Sequence, residues 1–386
     1  MLLTIVIFIL VLSVLVFAHE SGHFFTARRF GVKAEEFGFG FPPRAIGWYL
    51  NVAGKWRRVM GTKDRELLEN SGDENLIPGK DNTIYSLNWL PIGGFVKIKG
   101  ENGEGQNDSD SFASKSIWKR VVILSAGVIM NIILAWFLFS IGYMVGLPQS
   151  TDTLGAKARV TEMHVIVADV MPASPADVAG LKSGDFILEV GQTVVTSEKS
   201  LQDAIAVSAN QETNLLIQRE NNEETLKVTP LSKDGARATI GVGIFSSGLV
   251  SYPFFSALWE GAKTDVWVLK QIFVSLGTLF ASIFHGQNVS EQFAGPIGIA
   301  NITGQAARLG FTYLLQFTAL LSLNLAVINI LPFPALDGGR ILFLLIEKAK
   351  GKPVRREIET LIHNIGFLLL IALVLFITYK DIIKLF

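Results

Sequence analysis

Residues 17–23 read Phe17-Ala18-His19-Glu20-Ser21-Gly22-His23 and end an apolar N-terminal segment with the pattern H-E-x-x-H. On a helix, two histidines four residues apart leave the same face, so their rings can share one metal ion. Glu20 is adjacent, where its carboxylate can act as a general base. Because residues 2–18 are almost entirely apolar, these polar side chains at the edge of a hydrocarbon layer predict a functional site. The alternative is a chance match between ordinary packed histidines.

The composition indicates a membrane protein. The chain has 386 residues, of which 49% are hydrophobic, and its mean hydropathy is +0.40. The apolar residues are concentrated in a few long runs, which is typical of a protein that crosses a membrane several times. The 34 basic and 34 acidic residues balance, so we expect no nucleic acid as a partner. The absence of cysteine excludes disulfides and thiolate ligands, which leaves histidine and carboxylate as the strong zinc ligands.

Long apolar runs and basic loops together predict four membrane spans. Basic residues are concentrated in residues 28–120 and 340–356, so the positive-inside rule places both segments in the cytoplasm and both termini outside. The H-E-x-x-H motif and Asp337 then end two inward-running spans at the same cytoplasmic depth. Residues 252–284 mix charges with aromatic residues and predict an amphipathic helix on the outer surface. A fifth span there would place Asp337 on the opposite side.

The loop after the first span contains two strand-like stretches. One is Phe37-Gly38-Phe39-Gly40-Phe41-Pro42-Pro43, and the other, Asn82–Lys99, reads as a hairpin with an apolar tip at Trp89. Tryptophan is typical of the membrane interface. A β element close to the metal motif could bind an extended peptide by strand addition. It could equally be a peripheral sheet that only covers the site.

Residues 148–250 have the character of one small soluble domain. Within it, Ser174 to Gly191 reads S-P-A-D-V-A-G-L-K-S-G-D-F-I-L-E-V-G, which resembles the PDZ family except that Gly191-Gln192 replaces the usual Asn-Gly. The resemblance implies a short helix, a turn and a strand, and a second helix at Leu201–Val207 beside a groove. That groove could bind peptide C-termini, or the domain could only block access, and both remain open.

The third span ends in a second polar motif, Asn329-Ile330-Leu331-Pro332-Phe333-Pro334-Ala335-Leu336-Asp337-Gly338-Gly339-Arg340. Two prolines break the helix, and broken backbone at membrane depth is tolerated only inside protein or around a wet cavity. Asp337 could cap the next helix, bind a metal, or do both. Asn131, inside the second span, predicts an interhelical hydrogen bond. The three other histidines, His164, His285 and His363, have no partner at ligand spacing.

These motifs together resemble the site-2 protease family, in the bacterial form related to the regulator of sigma-E protease. The match covers almost the whole chain and includes H-E-x-x-H, the G-F-G stretch, the hairpin, one PDZ domain, G-P-I-G-I-A and N-x-x-P-x-P-x-L-D-G-G. The resemblance implies six site residues: the Zn²⁺ ligands His19, His23 and Asp337, the general base Glu20, and the substrate-backbone contacts Asn324 and Asn329.

The implied function is zinc-dependent intramembrane proteolysis. The expected substrates are single-span membrane proteins, such as anti-sigma factors or signal-peptide remnants, cut after a first extracytoplasmic cleavage. We expect a multi-pass protein in the lipid bilayer of a bacterial plasma membrane, with the PDZ domain outside and the active site near the cytoplasmic side. Two other classes compete. A metal or solute transporter would show inverted repeats, and none is found. A PDZ-bearing receptor without catalysis would leave the metal motif unexplained.

The predicted fold is a multi-spanning α-helical membrane protein with four transmembrane helices, a membrane-associated β-hairpin and an inserted α+β PDZ domain. The predicted segments are the first transmembrane helix (1–27), a cytoplasmic loop with membrane-associated β elements (28–119), the second transmembrane helix (120–147), the PDZ domain (148–250), an amphipathic surface helix and linker (251–310), the third transmembrane helix with the L-D-G-G motif (311–346), and a basic loop with the fourth transmembrane helix (347–386).

Overall fold

The computed structural model describes residues 2–61, 83–150, 157–219, 222–232, 238–286 and 295–383. Part of the predicted cytoplasmic loop, including Asn82, and the residues just before G-P-I-G-I-A lie outside these ranges. The chain forms two compact units. One comprises Met1–Trp136, Thr264–Gly304 and Thr318–Phe386, and the other comprises Phe137–Lys263 and Gln305–Phe317.

Nine α-helices lie within the described ranges. They are α1 (Leu2–Arg29), α2 (Ile117–Val145), α3 (Pro175–Val178), α4 (Glu198–Val207), α5 (Phe254–Phe284), α6 (Pro296–Leu309), α7 (Phe311–Ile330), α8 (Asp337–Lys350) and α9 (Arg356–Ile383). Five of them, α1, α2, α5, α7 and α9, are long and apolar enough to cross a membrane. The sequence predicted four spans, and α5 is the additional candidate. Its predicted place on the outer surface stays a prediction.

Helices α1 and α2 approach each other closely because small residues line their contact. A side chain at Gly22 would collide with the backbone of Ala126. Small residues allow membrane helices to pack backbone against backbone. Below this contact, Ala27, Ile123 and Leu344 share a buried apolar cluster that also holds α8. The H-E-x-x-H face of α1 is therefore turned toward α2.

A three-stranded antiparallel sheet follows α1 and contains β1 (Ala34–Leu50), β2 (Trp56–Val59) and β3 (Ile84–Ile98) in the order β2-β1-β3. Both long strands bend, and Phe37 pairs with Val96 on one side and with Tyr85 on the other. The predicted hairpin, in which the two halves of Asn82–Lys99 would pair with each other, is therefore wrong. The first arm of β1 lies between them, and Gly38 makes this possible because a Cβ there would come within 2.7 Å of Ser86 Oγ.

The bend of β3 runs along α1. Ser13 Oγ donates a hydrogen bond to the carbonyl of Pro91 at 3.0 Å, and Gly93 passes close to Val16. Ser13 lies seven residues before Glu20, or about 10 Å along the helix axis, inside the apolar segment. The bend thus reaches the depth of the apolar segment, as a membrane-associated element requires, and it exposes Trp89 at its tip.

The second unit contains the predicted PDZ-like domain. Its strands are β4 (Leu147–Ser150), β5 (Arg159–Val170), β6 (Phe186–Val190), β7 (Thr193–Val194), β8 (Thr213–Arg219), β9 (Asn222–Val228) and β10 (Val242–Ser251). The sheet order is β4-β10-β5-β6-β8-β9, with β7 paired to β6. The predicted short helix and strand are present as α3 and β6, and Leu201–Val207 lies within α4. Ser174 caps α3 by accepting the N–H of Asp177, which explains the S-P-A-D start.

Candidate metal centre

Three side chains from two distant segments converge in the first unit. Nε2 of His19 lies 3.0 Å from Oδ2 of Asp337, and Nε2 of His23 lies 3.3 Å from the same oxygen. The two Nε2 atoms are 3.2 Å apart. His19 and His23 are both buried, and Asp337 is half-buried. The three donor atoms therefore surround one point, which is the arrangement that a shared metal ion requires.

The spacing of these donors fits zinc. Tetrahedral Zn²⁺ with bonds of about 2.0–2.1 Å separates its ligand atoms by about 3.3–3.4 Å. The three observed separations, 3.0, 3.2 and 3.3 Å, are close to this value. Two imidazoles and one carboxylate are also a ligand set that zinc accepts at catalytic sites, where a fourth position stays open.

Both histidines are oriented by a contact on the other ring nitrogen. Nδ1 of His23 donates to the carbonyl oxygen of Ile123 on α2 at 2.9 Å. This bond leaves Nε2 as the nitrogen that is free of a proton and able to bind a metal. Nδ1 of His19 lies 3.3 Å from the side-chain amide of Asn131, also on α2. The sequence prediction of an interhelical hydrogen bond for Asn131 is confirmed.

The Asn131 amide can serve a metal-bound His19. Asn131 is fully buried, and within the described residues its Oδ1 atom has no hydrogen-bond partner. Rotating the amide by 180° brings Oδ1 to Nδ1 of His19, where it accepts the proton that remains on the ring when Nε2 binds a metal. Asn131 is itself held in place on α2, where Ser322 Oγ donates to its carbonyl at 2.8 Å.

Gly127 of α2 forms one wall of the cradle, by which we mean the space between the donor atoms of His19, His23 and Asp337. A Cβ at this position would collide with Nε2 of His23 and would lie 2.7 Å from Nε2 of His19. Any side chain there would occupy the space in which a metal ion would sit. The absence of a side chain at Gly127 is the second structural feature, after donor spacing, that fits a metal at this point.

Glu20 lies beside the cluster, held by the sheet. Its Oε2 atom accepts a hydrogen bond from the backbone N–H of Val96 on β3 at 3.1 Å. Strand β3 therefore aligns the carboxylate that follows His19 in the sequence. This hydrogen bond joins the bent strand to the H-E-x-x-H helix.

Asp337 reaches the histidines because the helix breaks at the double proline. It is the first residue of α8, and Leu336 occupies the N-cap position, so the capping role considered for Asp337 is wrong. Gly338 and Gly339 permit the turn, since a Cβ on Gly339 would collide with the carbonyl of Phe333. The Asp337 carboxylate points at the imidazoles instead of at its own helix.

Three ion pairs join residues of the first unit that are far apart in the chain. They are Arg340 with Glu101, Arg356 with Glu104 at 2.8 Å, and Arg120 with Glu347 at 2.5 Å. The first pair connects the residue three positions after Asp337 to the segment that follows β3. Because β3 also holds Glu20, the two halves of the candidate site are linked through the sheet.

The two predicted substrate contacts, Asn324 and Asn329, both lie on α7. Asn324 is exposed on α7, and its Nδ2 atom donates to the carbonyl of Leu320 in its own helix at 2.9 Å. It lines a groove of about 460 Å³ with Trp267, Gln271 and other residues of α5. Asn329 is half-buried, five residues further along α7. Their roles stay predictions.

Sequence reasoning missed two contributors to this geometry. For the contact of Gly127 with the imidazole rings, the sequence contains a weak signal, which is the pair of small residues Ala126-Gly127 inside an apolar helix. For the hydrogen bond from the Val96 N–H to Glu20 the sequence contains no signal, because a backbone N–H donor does not depend on the identity of the side chain.

Sequence comparisons with known proteins find relatives that cover almost the whole chain. The model of Peptidase family M50 matches residues 7–57 and 76–373. The regulator of sigma-W protease RasP of Bacillus subtilis is 31% identical over 99% of this chain and 99% of its own length. Zinc metalloprotease RasP of Bacillus licheniformis is 29% identical over 99% of both chains. A PDZ domain of an SdrC-like protein from Listeria monocytogenes aligns over 22% of this chain and 92% of that domain, at 20% identity and a TM-score of 0.21.

Proposed function

The chain belongs to peptidase family M50, the site-2 protease family, and is a membrane zinc metalloendopeptidase; from this premise we propose that it cleaves transmembrane segments of single-span membrane proteins. The proposed substrates are anti-sigma factors or signal-peptide remnants that another protease has already cut outside the membrane. The observation that carries the proposal is the convergence of His19, His23 and Asp337, whose donor atoms lie within 4.8 Å of one another between apolar helices.

We assign the metal to these three residues. His19 and His23 would bind zinc through Nε2 and Asp337 through Oδ2, as their distances support. When bound, zinc supplies Lewis-acid chemistry that polarises a peptide carbonyl and acidifies a water molecule. The buried rings and their contacts on α2 exclude bulk water from this side and keep both nitrogens oriented.

Glu20 is the proposed general base. Its Oε2 atom accepts the Val96 N–H, which leaves Oε1 available to take a proton from water. The same carboxylate then gives this proton to the nitrogen of the leaving peptide. Proton transfer by a positioned side chain contributes roughly 10²–10⁴-fold to a rate.

The bent arm of β3 is the proposed substrate platform. A helical substrate hides its carbonyls in hydrogen bonds, so the segment must become extended before it is cut. An extended substrate segment that pairs with the part of β3 around Val96 would run beside Glu20. Asn324 and Asn329 on α7 are proposed to bind the substrate backbone, and Asn324 is supported by its place on the groove with α5.

The proposed location is a bacterial plasma membrane. From the charges of the loops we propose that both termini and the PDZ-like domain are outside and that the active site is near the cytoplasmic side. The groove of the PDZ-like domain would bind free peptide C-termini, which a first cut outside the membrane creates.

The test uses the purified full chain in lipid nanodiscs with a model single-span substrate. The wild type should bind about one zinc per chain and cleave the substrate. Glu20→Gln should bind zinc equally well and lose activity by roughly 10²–10⁴-fold, because only the base is removed. Asp337→Asn should lose zinc and activity together. Unimpaired cleavage by Glu20→Gln would reject the mechanism, and full zinc binding by Asp337→Asn would reject the assigned ligand.

A further inference from the structure

The loop that precedes Asp337 adopts a backbone conformation that its own residues do not favour. Ala335 has a φ of +75°, in the left-handed region that residues with a Cβ rarely adopt. Leu336, at the N-cap of α8, makes no side-chain cap hydrogen bond. A strained backbone of this kind persists only when surrounding structure holds it. The position of Asp337 therefore depends on what contacts this loop from outside.

Helix α9 supplies that contact. Nδ1 of His363 accepts a hydrogen bond from the backbone N–H of Ala335 at 2.8 Å. One turn further on, Gly366 lies directly against Pro334, where a Cβ would come within 2.8 Å of the Pro334 carbonyl oxygen. Residues three apart share a helix face, so one face of α9 holds both residues that precede Leu336.

The contacts of the His363 ring indicate that its contribution to the site is the hydrogen-bond acceptor Nδ1. Because Nδ1 accepts, Nε2 carries the proton, and this N–H is buried without a hydrogen-bond partner in the described part of the chain. The ring also packs against Phe343 of α8, with centroids 5.4 Å apart. Packing alone would be met by a phenylalanine, without an unpaired donor. The imidazole adds only the acceptor for Ala335.

We propose that His363 is a positioning residue for Asp337: it fixes the Ala335 backbone two residues upstream and so holds the carboxylate where the three zinc donors converge. Within the described residues, His363 makes no hydrogen bond to any of the three donors. The inference rests on the proposed role of Asp337 as a zinc ligand. Removing a group that supports a ligand costs about 10–100-fold in metal affinity or activity.

The test is the zinc affinity of the full chain in detergent, measured without turnover by competition with a chelator. His363→Asn places an oxygen acceptor near the position of Nδ1 and should stay within about threefold of the wild type. His363→Phe keeps the ring and the Phe343 contact but has no acceptor, and should bind zinc about 10–100-fold more weakly. His363→Gln carries its acceptor further out and should resemble His363→Phe. Asn364→Ala, an exposed neighbour, is the matched control.

The outcomes separate this inference from the proposed function. Zinc affinity of His363→Phe equal to that of the wild type overturns the positioning role and leaves the zinc site intact. A wild type that binds no zinc overturns the proposed function itself. Equal losses in all variants, including Asn364→Ala, indicate general damage to α9 and also overturn the inference. If His363→Phe does not fold, the comparison of His363→Asn with His363→Gln decides. Equal zinc affinities of these two variants would contradict the positioning role. With Co²⁺ in place of zinc, His363→Phe and His363→Gln should change the visible spectrum, and His363→Asn should not.

Discussion

Nε2 of His19 lies 3.0 Å from Oδ2 of Asp337, although 318 positions separate the two residues. The first belongs to α1 and the second begins α8, after the proline break that follows α7. Neither motif makes a site alone, because two imidazoles from one helix leave a metal without its third protein ligand. The contact brings the two motifs together in one cradle that α2 closes from the side.

Gly127 provides a direct test of that cradle. We expect Gly127→Ala to abolish zinc binding and proteolysis, because the new methyl group would take the space between the two imidazoles. Metal content of the purified protein measures this. Gly277→Ala is the matched control, since a Cβ there meets nothing within 4 Å, and it should retain zinc and activity. Normal zinc content in Gly127→Ala would show that the metal sits elsewhere.

Asn131 should tune the affinity of the site without touching the metal. Asn131→Leu keeps the volume but removes the acceptor for Nδ1 of His19, so we expect zinc binding to weaken about 10–100-fold. Asn131→Asp retains an acceptor oxygen and should bind zinc more tightly than the Leu variant. Chelator competition measures both. Thr378→Ala is the control, since it removes only an exposed hydrogen bond within α9. Equal affinities of the Leu and Asp variants would contradict the role.

The PDZ-like domain depends on one buried ion pair. Arg219 contacts Asp185 through two hydrogen bonds of 2.7 and 2.6 Å, and these raise the pKa of Arg219. Asp185 is almost completely buried. Arg219→Ala should destabilise this domain by about 3–5 kcal/mol, because it leaves the buried Asp185 carboxylate without a charged partner, with the Lys182 N–H still bound to it. Faster amide hydrogen exchange in β6 and β8 of the full chain would report this destabilisation.

An exposed ion pair of the same domain offers the control for that measurement. Lys227 pairs with Glu212 at the surface, and water replaces such a partner readily. Lys227→Ala should therefore leave the exchange rates of β6 and β8 unchanged. If Arg219→Ala exchanged no faster than Lys227→Ala, the Arg219–Asp185 pair would not be what stabilises the domain.

The orientation of α5 can be tested with single cysteines, because the chain has none of its own. If α5 lies on the outer surface, Phe255→Cys and His285→Cys, at its two ends, should both react with a membrane-impermeant maleimide in intact cells. Lys352→Cys, in the predicted cytoplasmic loop, should react only after permeabilisation. Labelling of His285→Cys only after permeabilisation would mean that α5 spans the membrane.

Local patterns in the sequence predicted most of the site's chemistry. The spacing of His19 and His23 on one helix face, the proline break before Asp337 and the length of the apolar runs each depend on residues close together in the chain. The PDZ-like helix and strand at Ser174–Gly191 are of the same kind. The predicted hairpin failed because strand pairing depends on a partner from elsewhere, here the first arm of β1.

Sequence by itself determined which side chains can bind a metal and which segments can enter a membrane, because helical and apolar periodicities are written locally. Only the tertiary structure decided that Gly127 leaves room for the ion, that Asn131 faces His19, that the Val96 N–H holds Glu20 and that His363 holds the loop before Asp337. Each of these is a contact between segments far apart in the chain, and such a contact leaves no periodic trace in the residues that make it.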